Sequence, residues 1–338
     1  MAIDRSAPEP STPDRIEALS QAVYPSFAML AAMQLDLFSC LRDGPAEAPA
    51  IARQLTVEES RLHPLLYALV VIGLLDESEG RFANSAEAAR YLVRGSPDFM
   101  GDRHRLWSDV WQSVLRTADS IRTGGPQARH DFATMPDTEL DAFFSGLHPN
   151  ALAAGREFGR THDLTNVGEL VDVGGGTGGF ALGLAGAHPG LRLTVVDLEP
   201  VTAVTRRFVE SAPAGARVEI VAADVTAQPL PGRYDAAVLK NFIQVLSQEQ
   251  AAGALCHVFD ALNPGGTIYV TGHILEDSRR APAESVLFNI VFINVYDAGR
   301  AYTRAEYVSL LEQAGFADID FLEEDLVTAR KPDHHVAS

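Results

Sequence analysis

The chain has 338 residues, 46% hydrophobic and 21% charged, enough for two packed domains with the composition of an ordinary globular protein. A formal net charge of -18 would repel a phosphate backbone, which argues against nucleic acid as a substrate and reads chiefly as a source of solubility. No apolar run reaches the ~20 residues of a membrane span, and the N-terminus lacks the basic-then-apolar order of a secretory signal. A cytosolic protein without membrane contact is expected.

The first thirteen residues, rich in Pro and Ser, and the tail Lys331 to Ser338 carry no apolar period and are expected to bury little. Arg15 to Leu41 shows apolar residues at helical spacing, among them Ile16, Leu19, Phe27, Leu30 and Leu37. Pro25 interrupts the pattern and predicts two consecutive helices. A short helix around Ala50 to Leu55, a longer one from Glu58 to Ile72, and a hairpin through Leu74 to Phe82 turning at Glu79-Gly80 complete a winged-helix pattern. Its second helix carries Arg61 and His63 but no basic stripe, so packing against protein is favoured over entry into a DNA groove. Arg103 to Arg160 continues as helix, rich in aromatic residues and histidines such as Trp107, Trp111, His130, Phe143 and Phe144, with a break at Gly124-Gly125-Pro126.

Beyond Val167 short apolar strands alternate with helices: Leu170 to Val173, Leu193 to Val196, Val218 to Ala222, Ala236 to Leu239 and Thr267 to Thr271. That alternation predicts an α/β fold with a doubly wound sheet. The change of pattern places a domain boundary near Asp163 to Gly168, with a helical, winged-helix-like domain over residues 14–163 and the sheet domain over 164–330. Cys40 and Cys256 lie far apart without CxxC spacing; they are expected as buried apolar residues, with neither a disulfide nor a metal site.

The first sheet strand runs directly into Gly174, Gly176 and Gly178, which then open a helix. Glycines there allow a sharp turn and a close approach of ligand to backbone. The spacing alone is shared by nicotinamide and flavin sites. Asp172, just before the turn, places a carboxylate where a dinucleotide would bring its pyrophosphate, and so favours a cationic ligand. S-adenosylmethionine, with an amino group and a sulfonium, meets that requirement. Asp197, followed by Leu198, ends the second strand where a carboxylate accepts hydrogen bonds from ribose hydroxyls. Asp224, followed by Val225, ends the third strand within reach of the adenine amino group. Each Asp alone can be an exposed strand-end cap; three at successive strand ends make that shared reading much weaker.

The run Asp172 to Phe180, with Asp197-Leu198, Asp224, Lys240, Asn263-Pro-Gly-Gly266 and Leu311 to Phe316, resembles the class I O-methyltransferases of the caffeate and hydroxyindole type. The resemblance covers nearly the whole chain. It implies a Rossmann-like methyltransferase sheet and an N-terminal domain that forms an intertwined homodimer and roofs the pocket of a small-molecule substrate. It also implies that Lys240 and Asp224 contact the cofactor.

In that family the segment after the fourth strand reads Lys, three residues, His, Asp, Trp, and the His removes a phenolic proton. Here the segment is Lys240-Asn-Phe-Ile-Gln244, so Gln244 stands at the base position. The two carboxylates that orient the base correspond to Gly272 and Ala301. Loss of all three members suggests a nucleophile without a proton to lose, methylated by alignment and desolvation. The combination is similar to the bacterial S-methyltransferases that convert 4-methylthio-2-hydroxybutyrate to its sulfonium in dimethylsulfoniopropionate synthesis. On that reading Gln244, His148 and Tyr296 serve the reaction, while Phe144, Asn150, Arg156, His273 and Asn294 bind substrate. His273 is also a candidate for a relocated base. O-methylation of a phenol or enol, and a cofactor-binding protein that transfers no methyl, remain alternatives.

Overall fold

The computed structural model describes residues 12–333. Most of the first thirteen residues, and the tail beyond residue 333, lie outside that range. Lys331, expected in a loose tail, is instead anchored: its N–H donates to Gly266 O at 2.8 Å and its Nζ to Phe259 O and Leu262 O at 2.7 and 2.9 Å.

The chain divides into two compact units between His104 and Arg105. In the first, the helices Asp14–Gln21 and Val23–Gln34 part at Ala22, not at Pro25. Pro25 falls in the first turn of the second helix, where a missing N–H leaves no bond unmade. The helices Ala48–Leu55 and Glu59–Val71 are followed by the hairpin Leu75–Ser78 and Arg81–Asn84, which Ala46–Glu47 extends to three antiparallel strands. Glu79 and Gly80 both take positive φ, 52° and 77°, as a two-residue hairpin loop of matching twist requires. Leu37, Phe38, Ile51, Leu66, Leu69 and Phe82 are buried.

The second unit opens with the helices His104–Val114, Thr117–Thr123 and the 25-residue Asp137–Thr161. Its sheet has seven strands in the order Ala317–Glu323, Leu326–Arg330, Leu262–Thr271, Tyr234–Lys240, Glu169–Val173, Arg192–Asp197, Val218–Ala222. All pairings among the last five are parallel, while Leu326–Arg330 runs antiparallel to both neighbours. Both faces are covered: Val171, Val173, Leu239 and Ile268 pack into one core, and Leu170, Leu193, Ala236 and Val238 into the other. Strand order reverses between Glu169–Val173 and Tyr234–Lys240, and ligand clefts of such sheets lie at that reversal, beyond the carboxyl ends. The strand Ala317–Glu323 escapes the sequence pattern because it is an exposed edge, with charged residues where a core strand would be apolar.

The division falls well before the expected Asp163 to Gly168 because the long helix belongs with the sheet. It crosses the helix Gly179–Ala187 so closely that a Cβ at Gly155 would overlap the Phe180 carbonyl, and one at Gly183 the Leu152 carbonyl. Cys256 also departs from expectation, being exposed, with Cys40 only partly buried. No helix among the described residues is long and apolar enough to cross a membrane, and no cluster of His, Cys, Asp or Glu among them is placed to hold a metal. Gly155→Ala should separate the crossing helices at a cost of about 1–3 kcal/mol, read as a fall of several degrees in the thermal midpoint. Ala154→Gly, one position away, should cost no more than about 1 kcal/mol.

Candidate active site

Gly174, Gly176 and Gly178 all have positive φ, 68°, 57° and 72°, a region that side chains with a Cβ rarely enter. The turn is pinned from below, the Gly174 N–H donating to Val196 O at 2.8 Å. It is tightly covered from above. A Cβ at Gly174 would run into the Phe242 ring, and one at Gly176 would stand 3.0 Å from Phe144 Cδ1.

Beneath the turn, Asp172 is 1% exposed, and its Oδ2 has no hydrogen-bond partner. Burial, reinforced by the Asp197 carboxylate and opposed by Lys240, raises its pKa to about 7. Asp197 accepts the N–H groups of Gly176 and Leu198, both at 2.8 Å, yet burial still lifts it to about 6. Asp224 spends Oδ1 on Thr226, taking its N–H at 3.0 Å and its hydroxyl at 2.6 Å, beside the buried Val225. Burial lowers the Lys240 pKa, against the pull of Asp172 and Asp325. An orphaned carboxylate under a glycine turn, with a second carboxylate on the next strand, fits a nucleoside that carries an ammonium group.

Gln244, at the expected base position, is buried. Its Oε1 accepts the His273 N–H at 2.7 Å, and a Cβ at Gly272 would overlap that oxygen. The amide therefore fills space that a larger residue at 272 would need, which physically links two of the three missing groups. Ala301 is wholly buried, its N–H held by Asn289 Oδ1 at 2.9 Å, one position after Arg300, whose N–H donates to Gln244 O at 2.8 Å.

The remaining candidates separate. His148 meets Thr177 Oγ1 through Nδ1 at 2.8 Å and stacks on Phe208 at 4.0 Å; burial drops its pKa to about 4, so it is neutral and occupied with the glycine loop. Asn150 is half-buried one position before Ala151, which packs against Gly179. Arg156 is exposed on the helix stretch crossing Gly183, a position at odds with substrate binding. Asn294 is also at odds with that expectation. It is wholly buried, accepts the Ser120 hydroxyl at 2.8 Å, and donates to Thr117 Oγ1 and Ile290 O at 2.9 and 2.8 Å. No polar atom of that side chain is left for a ligand. His273 stacks on Phe288 at 4.2 Å with Nδ1 3.4 Å from the Ser285 hydroxyl, and burial lowers its pKa.

Phe144, whose ring stands against Gly176, and Tyr296 belong to one aromatic cluster. Phe132 bridges them at 5.2 and 6.4 Å between ring centroids, Phe143 packs on Phe132 and Phe144, and the His130 ring lies against Phe132, Phe143 and Tyr296. Phe132, Phe143 and His130 come from segments whose local pattern reads only as aromatic-rich helix, so nothing in their spacing shows the convergence. A surface groove of about 560 Å³ lined by Arg206, Glu210, Pro213 and Ile220 contains none of these residues.

The O-methyltransferase domain profile matches residues 123–317, and the O-methyltransferase dimerisation domain profile matches residues 18–94. The chain belongs to this family and is an S-adenosylmethionine-dependent methyltransferase. It is 31% identical to a 3-hydroxy-5-methyl-1-naphthoate 3-O-methyltransferase of Streptomyces sahachiroi, over 92% of each chain. It is likewise 31% identical to a tetracenomycin polyketide synthesis 8-O-methyl transferase of Streptomyces glaucescens, over 91% of this chain and 92% of that one. In fold it matches an O-methyltransferase family protein from Burkholderia thailandensis with a TM-score of 0.83 at 20% identity, over 96% of this chain and 99% of the other.

The raised carboxylates give a pH signature. Between the ordinary carboxylate value of ~4 and about 7, the folded chain keeps a proton on Asp172 that the unfolded chain has released. Ligand-free stability should therefore fall as pH rises through that window and level off above it. Asp172→Asn removes the cost, so its thermal midpoint should gain on the wild type between pH 5 and pH 8. The same variant should bind S-adenosylmethionine about tenfold more weakly or worse, measured by calorimetry at pH 8.

Proposed function

We propose that this enzyme transfers a methyl group to a hydroxyl on a flat aromatic or enolic small molecule. The observation that carries the reading is the cluster of Phe132, Phe143, Phe144 and Tyr296, which meets the glycine turn through Phe144 and offers ring faces and edges suited to a planar acceptor. The two relatives described above, named for transfer to oxygen on naphthoate and tetracenomycin-type molecules, support the same class.

The narrower acceptor suggested by the sequence pattern, the sulfur of 4-methylthio-2-hydroxybutyrate, finds no support. Its carboxylate needs a cationic partner, yet Arg156 is exposed on the crossing helix, His148 is neutral on Thr177, and Asn294 is spent.

In this reading Asp172 receives the cofactor's ammonium group, Asp197 exchanges its Gly176 contact for ribose hydroxyls, and Asp224 with Val225 borders the adenine. Lys240 balances the buried acidic charge, Leu198 borders the nucleoside, and the turn at Gly174, Gly176 and Gly178 lets the ligand approach the backbone. Bound S-adenosylmethionine supplies an electrophilic methyl. Phe144 and Tyr296 orient the acceptor and exclude water, which strengthens every charge interaction nearby. Gln244 and His273 shape the floor, His148 steadies the loop through Thr177, and Asn150 lies at the edge.

The helices of residues 105–163, within the stretch 14–163 distinguished in the sequence, supply the roof, and residues 164–330 the cofactor floor. The N-terminal unit forms a homodimer. Its first helices expose Ile16, Leu19 and Tyr24, each about two-thirds accessible or more, within or beside the segment matching the dimerisation domain.

Turnover with cofactor labelled in its methyl group, offered 3-hydroxy-1-naphthoate, a tertiary amine and a thioether acid, should add one label to the naphthoate oxygen. Label found only on sulfur or nitrogen, or retained on the cofactor, would sink the proposal. Light scattering should give twice the chain mass, and the double substitution Leu19→Glu, Tyr24→Glu should shift it toward the monomer with the wild-type circular dichroism spectrum retained.

A further inference from the structure

A hydroxyl acceptor needs somewhere to leave its proton, and Gln244 cannot take it. Of the other histidines at the site, His148 bonds Thr177 and His273 bonds Ser285 through Nδ1, each ring is stacked on a phenylalanine, and burial lowers the pKa of each, which weakens it as a base. His130 is different. Its side chain is only 7% exposed, and Nε2 lies 2.9 Å from Oδ2 of Asp109 on the helix His104–Val114. Nδ1 is buried without any hydrogen-bond partner, among the rings of Phe132, Phe143 and Tyr296. A buried ring nitrogen left unpaired costs free energy unless something completes it.

We propose that His130, oriented by Asp109, accepts the proton of the substrate hydroxyl and so replaces the base missing at Gln244. This rests on the hydroxyl-acceptor reading above. The Asp109 carboxylate holds the proton of neutral His130 on Nε2, leaving the Nδ1 lone pair directed into the aromatic layer, the arrangement by which a carboxylate fixes the tautomer of a catalytic imidazole. The segment carrying His130 is fixed in place: its N–H donates to Val295 O at 2.8 Å, and the Ala128 N–H to Asn294 O at 3.0 Å. The buried amide network of Asn294 therefore acts as a mount for this loop.

The other charged groups near the ring are accounted for. Arg129 pairs with Asp297 at 2.7 Å on the exposed side, and Asp131 accepts the Ala133 N–H at 3.2 Å. Tyr296 stays a neutral phenol, its pKa raised by burial and by Asp109. Asp109 is half exposed, which gives the proton a way out.

In the step, the substrate O–H bond breaks and its proton passes to His130 Nδ1. The oxygen forms a bond to the transferred methyl carbon as the carbon–sulfur bond breaks, its electron pair remaining on sulfur. The imidazolium, stabilised by Asp109, then releases its proton to solvent.

Two independent readouts test this on the full-length protein. Nitrogen-15 spectra of histidine-labelled wild type at pH 8 should show His130 protonated on Nε2, with the other tautomer populated in Asp109→Asn. His130→Gln should lower kcat for 3-hydroxy-1-naphthoate about 10²–10⁴-fold at pH 7, leave the S-adenosylmethionine Kd unchanged, and recover part of the loss near pH 10, where the phenol ionises unaided. Asp109→Asn should show a smaller loss with the same high-pH recovery. An unchanged rate and pH profile in His130→Gln, or a wild-type proton on Nδ1, would overturn the assignment. Should His130→Gln lose its fold, Asp109→Asn and the wild-type spectrum decide alone. A wild-type enzyme that leaves the naphthoate unmethylated sinks the acceptor class, and the tautomer then judges the dyad separately.

Discussion

The organising constraint of this enzyme is a buried carboxylate with one oxygen left without a partner. Asp172 sits under a glycine turn with one oxygen unsatisfied, and a second carboxylate on the neighbouring strand adds repulsion. Folding tolerates this because the sheet strand is held by ladders on both sides and sealed on both faces. A ligand that brings positive charge to the same place offsets the cost of burying this carboxylate. Glycines keep the turn clear, since a side chain at 174 or 176 would meet Phe242 or Phe144.

A second coupling explains how the usual proton-removing unit can be absent as a set. Gln244 Oε1 occupies the volume beside Gly272, so the side chain at one position limits the other. With the histidine gone, a carboxylate at 272 would have no base to orient and no room. In the proposed mechanism proton acceptance passes to another element, where the helix His104–Val114 and the loop after Gly125 bring Asp109 and His130 together. The chemistry is preserved by a change of supporting element, with the acceptor approached from the roof side rather than from the sheet.

The roof depends on backbone packing more than on side-chain chemistry. Because Gly155 and Gly183 allow the long helix to lie directly on the helix after the glycine turn, Phe143, Phe144 and His148 are carried over the loop at fixed height. Asn294 is the polar counterpart: it ties the helix Ala283–Val295 to the helix Thr117–Thr123, and the same helix end holds the segment of His130 by two backbone bonds.

The sequence by itself determined the elements whose information is local. Alternating apolar strands, the glycine turn, and acidic residues at three successive strand ends are contiguous patterns with a fixed physical meaning. They located the sheet and pointed to S-adenosylmethionine as the cofactor. The division between the units was not legible that way, because a helix and the sheet it packs on are joined by glycine contacts that no periodicity records. Arg156 and Asn294, candidates for substrate binding by residue type, show the same limit: residue type tells what a side chain can bind, while only the packed structure shows that Arg156 is exposed and that both polar atoms of Asn294 have partners inside the protein. The pairing of His130 with Asp109 joins residues on separate segments, and a hydrogen bond of that kind exists only once the helices have docked.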